Sequence, residues 1–289
     1  MSLKLGSKNG AEVHKEQHSK NFKNTKISDN AIESLKTKFD KVFDSGKHNV
    51  FTSSVLSYLK EIDCPIAGIR CLGLGSLESE IYPLHQLCLL KQIVDQLSTK
   101  KDIVVSLWDP IFTVLDKEFI QSKLHYVVEE KPSFENGRND ILYYMPHFPI
   151  EEIEKILVNC EPLLLLTNDL QAYSLRLSSW KFLSLYPICA SISFLSETEN
   201  LANDDSQKAP LVSSSVGDFH FVKKKHRNRR KKGITPVLPK KQDYNLDTKY
   251  FIKACVKRFP YDTHSTLEYS LTDICFIKLT RRSTDKISN

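Results

Sequence analysis

Apolar residues recur along this chain first at helical spacing and then in short blocks. Ile32, Leu35, Phe39, Val42 and Phe43 fall three or four apart over residues 30–43, and Val55, Leu56, Leu59 and Ile62 repeat the pattern over 51–62. Two amphipathic helices are expected, the first capped by Ser28 or Asp29 and the second stopped at Asp63-Cys64-Pro65. A compact apolar block follows (Ile66, Ile69, Cys71, Leu72, Leu74), with the length and residue types of a buried strand, although Arg70 interrupts it. Gly73-Leu74-Gly75-Ser76 comes next. From Leu84 the positions Leu87, Cys88, Leu90, Val94 and Leu97 lay down one helical stripe, with Pro83 in the first turn, where a missing N–H costs nothing.

The alternation of block and stripe continues. Residues 103–108 predict a second, buried parallel strand closed by Asp109-Pro110, residues 112–122 a helix, 124–128 a third strand, and 131–140 a polar loop containing Asn136-Gly137. A fourth strand over 141–145 ends at Pro146-His147, a helix covers 150–158, and a fifth strand over 163–167 ends at Asn168-Asp169. Residues 173–195 read as two helices or one kinked at Pro187. The apolar pattern resumes over 250–256, and 274–279 predicts a last strand. Sustained alternation implies an α/β fold: a Rossmann-like parallel sheet with helices on both faces.

Composition divides the chain. Residues 1–29 are polar and basic and are read as a disordered tail; 30–195 form the main part of the domain, 196–241 a disordered insertion, and 242–289 its C-terminal completion. The formal charge is +6, yet the run from Lys223 to Lys232 (KKKHRNRRKK) alone holds eight Lys/Arg and no acid, so the rest carries −2. Only that run offers a general attraction to nucleic acid. It fits nuclear import or contact with RNA phosphates, and import is favoured because no aromatic interleaves the basic residues as base stacking requires. Seven cysteines without a C-x-x-C pair sit mostly in apolar runs, as reduced core thiols do. No signal-like h-region opens the chain and no apolar span has membrane length, so a soluble intracellular protein without membrane association is expected.

Candidate chemistry gathers where strands end. Gly73, Gly75 and Ser76 form a turn whose N–H groups could cradle a phosphate or carboxylate. Glu78 stands where a third glycine of the dinucleotide fingerprint belongs, and Glu80 follows, which argues against a pyrophosphate. Methyl-donor and nucleoside enzymes pair such a turn with an acid at the end of the second strand that bonds ribose hydroxyls, and Asp109 lies there. The structural alternative is that Asp109 caps the helix opening at Phe112. His147, ending the fourth strand, is placed for proton transfer or for a bond to a neighbouring loop. Gly73, Gly75, Ser76 and Asp109 are thus the cofactor-binding candidates and His147 and Asp109 the catalytic ones, with no cofactor identified. No H-E-x-x-H, G-x-S-x-G or P-loop motif occurs, which argues against a metalloenzyme, a serine hydrolase and a P-loop nucleotidase.

Cys71-Leu72-Gly73-Leu74-Gly75-Ser76 with Gln86-Leu87, Trp108-Asp109-Pro110-Ile111-Phe112, Tyr144-Met145-Pro146-His147 and, more faintly, Leu166-Thr167-Asn168 resemble the SRR-like ("sensitivity to red light reduced") proteins of plants, fungi and animals. The resemblance spans residues 66–195. It implies a cytoplasmic and nuclear regulatory protein, linked to circadian or light-type signalling, haem metabolism or the cytoskeleton, that acts through protein partners or a bound small molecule. A nucleoside- or methyl-donor-dependent transferase and an RNA-associated protein are the alternatives. Three positions depart from the family pattern: Phe148 stands in place of cysteine, Thr167 in place of glycine, and Cys275 falls in a late strand where only Thr272 of the family's polar group is kept. If those groups serve a common reaction, the departures imply its loss here.

Overall fold

The computed structural model describes residues 28–46, 50–62, 64–99, 102–132, 138–204, 243–260 and 270–283. Helices α1 (Asp29–Gly46) and α2 (Val50–Glu61) precede β1 (Gly68–Leu72), followed by α3 (Ile81–Ser98), β2 (Val104–Trp108), α4 (Val114–Leu124) and β3 (Val127–Val128). Then come β4 (Ile141–Met145), α5 (Ile150–Cys160), β5 (Leu164–Asn168), α6 (Gln171–Ser174), α7 (Ser179–Leu185), α8 (Pro187–Asp204), β6 (Phe251–Arg258) and β7 (Ile274–Arg281).

These strands form one seven-stranded sheet in the order β3-β2-β1-β4-β5-β7-β6. Strands β1 to β5 pair in parallel. Strand β7 is antiparallel to both β5 and β6, so β6 shares the common direction and β7 alone is reversed. The expected α/β sheet is therefore mixed at one position. Adjacent parallel strands need a long crossover, whereas β6 and β7 follow one another in sequence and reverse instead. The chain leaves β1 toward β2 on one side and enters β4 on the other, which makes the carboxyl end of β1 the topological switch point.

Two cores result. Ile69 and Cys71 of β1, Leu107, Leu142 and Tyr144 pack beneath α1 to α4 with Phe39, Leu87 and Phe119. Leu72, Met145, Leu165 and Ile277 face the other way, against Ile153 and Leu157 of α5 and Ile192 of α8. Strands β1 and β5 are buried at every residue, which is why they read as short, mainly apolar blocks. The run at β2 misleads: Val104 is 68% exposed, because no helix is described between β3 and β4 to cover that end of the second face. Arg70 does not break β1. It is buried, and its Nη2 donates to Glu129 Oε2 at 2.6 Å, satisfying a charge that would otherwise be unpaired in the interior.

Several boundaries differ from expectation. The third strand shrinks to two residues because His125, at φ 60°, forms the left-handed cap of α4 and keeps Leu124 in the helix. Pro187 opens α8 rather than kinking a longer helix, as its fixed φ favours, and a break capped by Ser178 separates α6 from α7, giving three helices. Helix α8 continues past the expected boundary at Ser196 to Asp204. No proline or glycine interrupts it, and Glu197 accepts from Gln171 Nε2 at 3.0 Å. The basic run and the rest of the insertion lie outside the described residues, as do residues 1–27 and Asn136-Gly137. All seven cysteines are free and five are buried. Among the described residues no helix is long and apolar enough to cross a membrane.

Candidate functional site

The carboxyl ends of β1, β2 and β4 enclose a cavity of about 690 Å³. Gly73, Gly75, Asp109 and His147, proposed from sequence as site residues, all line it; Ser76 does not. Both glycines have positive φ, 70° and 92°, and both leave room for a neighbour. A Cβ on Gly73 would lie 2.1 Å from the Phe148 ring, and one on Gly75 would lie 2.8 Å from Pro83 Cγ.

The turn is not an open phosphate cradle. The Gly73 N–H donates to the Trp108 carbonyl at 3.1 Å, and the Gly75 N–H to Asp109 Oδ2 at 2.8 Å. Asp109 Oδ1 accepts from the Ile111 N–H at 2.8 Å, so this carboxylate ties the β1 turn to the β2 turn. It is not the cap of α4. That role belongs to Thr113, whose side chain accepts from the Asp116 N–H while Asp116 Oδ2 accepts from the Thr113 N–H, a reciprocal capping box. Ser76 turns away from the cavity and donates to Asp116 Oδ2 at 2.9 Å; the Glu78 N–H donates to Asp116 Oδ1 at 3.0 Å.

His147 sits at φ 52°, a left-handed conformation in which histidine is over-represented among non-glycine residues. Its Nε2 lies 2.9 Å from the Ser270 carbonyl, which can only accept. Nε2 therefore carries the hydrogen and Nδ1 keeps a lone pair in the neutral ring. The Gln86 Nε2 donates to the same carbonyl at 3.3 Å, anchoring the segment that enters β7. Ser270 lines the cavity with its Oγ buried and without a partner among the described residues. Burial, with the Asp109 charge as a lesser cause, pushes the Cys71 thiol up, so the cysteine beneath the turn is no nucleophile.

The lining combines Tyr82, Trp108 and Phe148 with the carboxylates of Glu80, Asp109 and Glu152 and contains no Lys or Arg among the described residues. Glu152 is paired with Lys155. Tyr82 and Ser270 were not picked out from sequence, because an exposed aromatic and a lone serine carry no periodic signal. Of the positions that depart from the family pattern, Phe148 lines the cavity and fills the space over Gly73. Thr167 and Cys275 are fully buried partners across the β5–β7 pair, and Thr167 Oγ1 donates to the Met145 carbonyl at 3.0 Å. No cluster of three or more His, Cys, Asp or Glu suited to a metal occurs among the described residues.

The fold and this site define an α/β domain with a ligand-sized cavity at the switch point of its sheet. The family model described as the SRR1 domain matches residues 30–274, and the chain belongs to that family. No curated protein and no solved structure matches it.

Proposed function

We propose that this SRR1-domain protein is a regulatory protein whose domain binds a small phosphate-free ligand in the cavity at the carboxyl edge of the sheet, of the nucleoside or sulfonium methyl-donor class. The observation that carries this is the lining: three carboxylates, three aromatic rings and no described cation. Carboxylates repel phosphates but accept from hydroxyls and attract cations, and the rings offer faces for a planar base or an onium group. Asp109 has one protein donor on each oxygen, which leaves each a further lone pair for a ligand hydroxyl. The signalling, haem-related or cytoskeletal role implied by the family would be exerted through that ligand and through protein partners.

A thermal-shift comparison on the purified chain tests the reading. S-adenosylmethionine or adenosine should raise the melting temperature, by an amount equivalent to about 2.7 kcal/mol at a hundredfold excess over Kd, while ATP and NAD should not. Stabilisation by the phosphorylated compounds alone overturns it.

A transferase is the second reading, favoured by the lone pair left on His147 Nδ1 at the cavity wall. It requires turnover of S-adenosylmethionine that is lost in His147→Gln while binding is retained. For the run from Lys223 to Lys232 we propose nuclear import, giving a protein shared between cytoplasm and nucleus, with RNA association as the competing outcome. Replacing its basic residues with Gln should leave a tagged protein cytoplasmic; unchanged distribution together with lost salt-sensitive RNA retention would favour the RNA role.

A further inference from the structure

Beyond His147 lies a second cavity of about 250 Å³, at the end of β5, lined by Asn168, Asp169, Tyr173, Arg176 and Asp273. His147 is common to the walls of both cavities. The small one differs in kind. Its walls are polar and bring together charges of both signs, whereas the large one is aromatic and acidic.

Two exposed charged side chains there have no described ion partner, and one buried amide oxygen has no described donor. Asn168 is only 9% exposed, and its Nδ2 donates to the Phe148 carbonyl at 2.8 Å and to the Tyr173 hydroxyl at 3.2 Å, which sets the amide's orientation. Its Oδ1 is left without a donor. A buried amide oxygen in that state is costly, but it has no exposed surface of its own and lies behind the cavity wall. Arg176 lies over the Tyr173 ring, 6.0 Å from its centroid, and makes no ion pair with a described residue. Asp273 sits at φ 59° entering β7 and likewise has no described cation against its carboxylate. Asp169 is different: Arg258 holds both its oxygens.

A guanidinium and a carboxylate on the walls of one small cavity, neither ion-paired with a described residue, complement a zwitterion. Inorganic phosphate would gain Arg176 but meet Asp169 and Asp273, and a simple amine would leave Arg176 unanswered. We infer that the small cavity binds an α-amino-acid head group, with its carboxylate on Arg176 and its ammonium on Asp273. The head group can be a free amino acid or can belong to a ligand whose other end occupies the large cavity. The second form rests on the nucleoside reading of that cavity, and the shared wall at His147 is where such a ligand would pass.

Titration calorimetry of the full chain with three probes separates the cases: S-adenosylhomocysteine, 5′-methylthioadenosine, which keeps the nucleoside thioether but lacks the amino-acid head, and free methionine. The tethered form predicts that S-adenosylhomocysteine binds at least about tenfold tighter than methylthioadenosine. Arg176→Gln or Asp273→Asn should erase the difference without altering methylthioadenosine binding. Both positions are at the surface, and asparagine tolerates a positive φ, so both variants should fold. Methionine binding lost in Arg176→Gln, with no nucleoside bound, keeps the amino-acid site and overturns the nucleoside reading. Equal affinities for the two nucleosides with no methionine binding overturn the amino-acid site and keep the nucleoside reading. If none of the three probes binds, both fall.

Discussion

Two aspartates hold the glycine turn from opposite sides. Asp116 is fully buried and accepts from the Ser76 hydroxyl and from the N–H groups of Glu78 and Thr113, with no exposure to the cavity. Among the described residues Asp109 accepts only from the N–H groups of Gly75 and Ile111, and it forms part of the cavity wall. The same six-residue stretch therefore has a closed side, where every acceptor is matched within the protein, and an open side, where capacity is left over. A carboxylate at the end of a strand can be scaffold or site, and its partners distinguish the two.

The largest effect is expected on the closed side. Asp116→Ala leaves a buried hydroxyl and two N–H groups without their acceptor, at roughly 1 kcal/mol or more each, so denaturant titration should show a loss of about 3 kcal/mol or more. A loss below about 1 kcal/mol would mean that the turn is held by something else. Gly73→Ala comes next, since its Cβ would lie 2.1 Å from the Phe148 ring at a φ of 70°. Strain and overpacking together should cost roughly 2–3 kcal/mol, and Phe148→Ala in the same chain should recover part of it as a measurable coupling.

Asp109→Asn sharpens the contrast. The amide keeps one acceptor oxygen but sets an NH₂ against a backbone donor, so a loss of about 1–2 kcal/mol is expected, together with loss of the thermal shift by S-adenosylmethionine in protein that remains folded. An unchanged ligand response would assign Asp109 to the scaffold beside Asp116.

The smallest effect concerns His85 in the second turn of α3, whose Nδ1 is buried without a partner among the described residues. Burial lowers its pKa from the ordinary 6.5. Below that value the unfolded chain takes up a proton more readily than the folded one. Stability should thus be full above pH 6.5, fall as pH drops toward the lowered folded value, and level off below it. Urea titrations at about pH 7.5 and about pH 5.5 should show a smaller acid loss for His85→Gln than for the parent; equal losses would refute this.

Strands β1, β4 and β5 were legible because parallel strands buried on both faces appear as short, mainly apolar blocks, and helices α1, α2 and α3 because one face in contact with a sheet imposes a period near 3.6. Gly73, Gly75, Asp109 and His147 were legible as site candidates for the same reason: where strands end is local information, and parallel strands end together. What each of those residues does was not local. The partner of the Gly75 N–H is 34 positions away, and the partner of His147 is 123 positions away. The reversal of β7, the pairing of Arg70 with Glu129, and the convergence of Asn168, Arg176 and Asp273 around a second cavity likewise depend on contacts between distant segments. Sequence pattern by itself determined which residues are apolar, at what period and where strands end. Tertiary structure alone decided which polar groups at those ends are satisfied and which are left open, because a hydrogen bond depends on two positions that only folding brings within 3 Å.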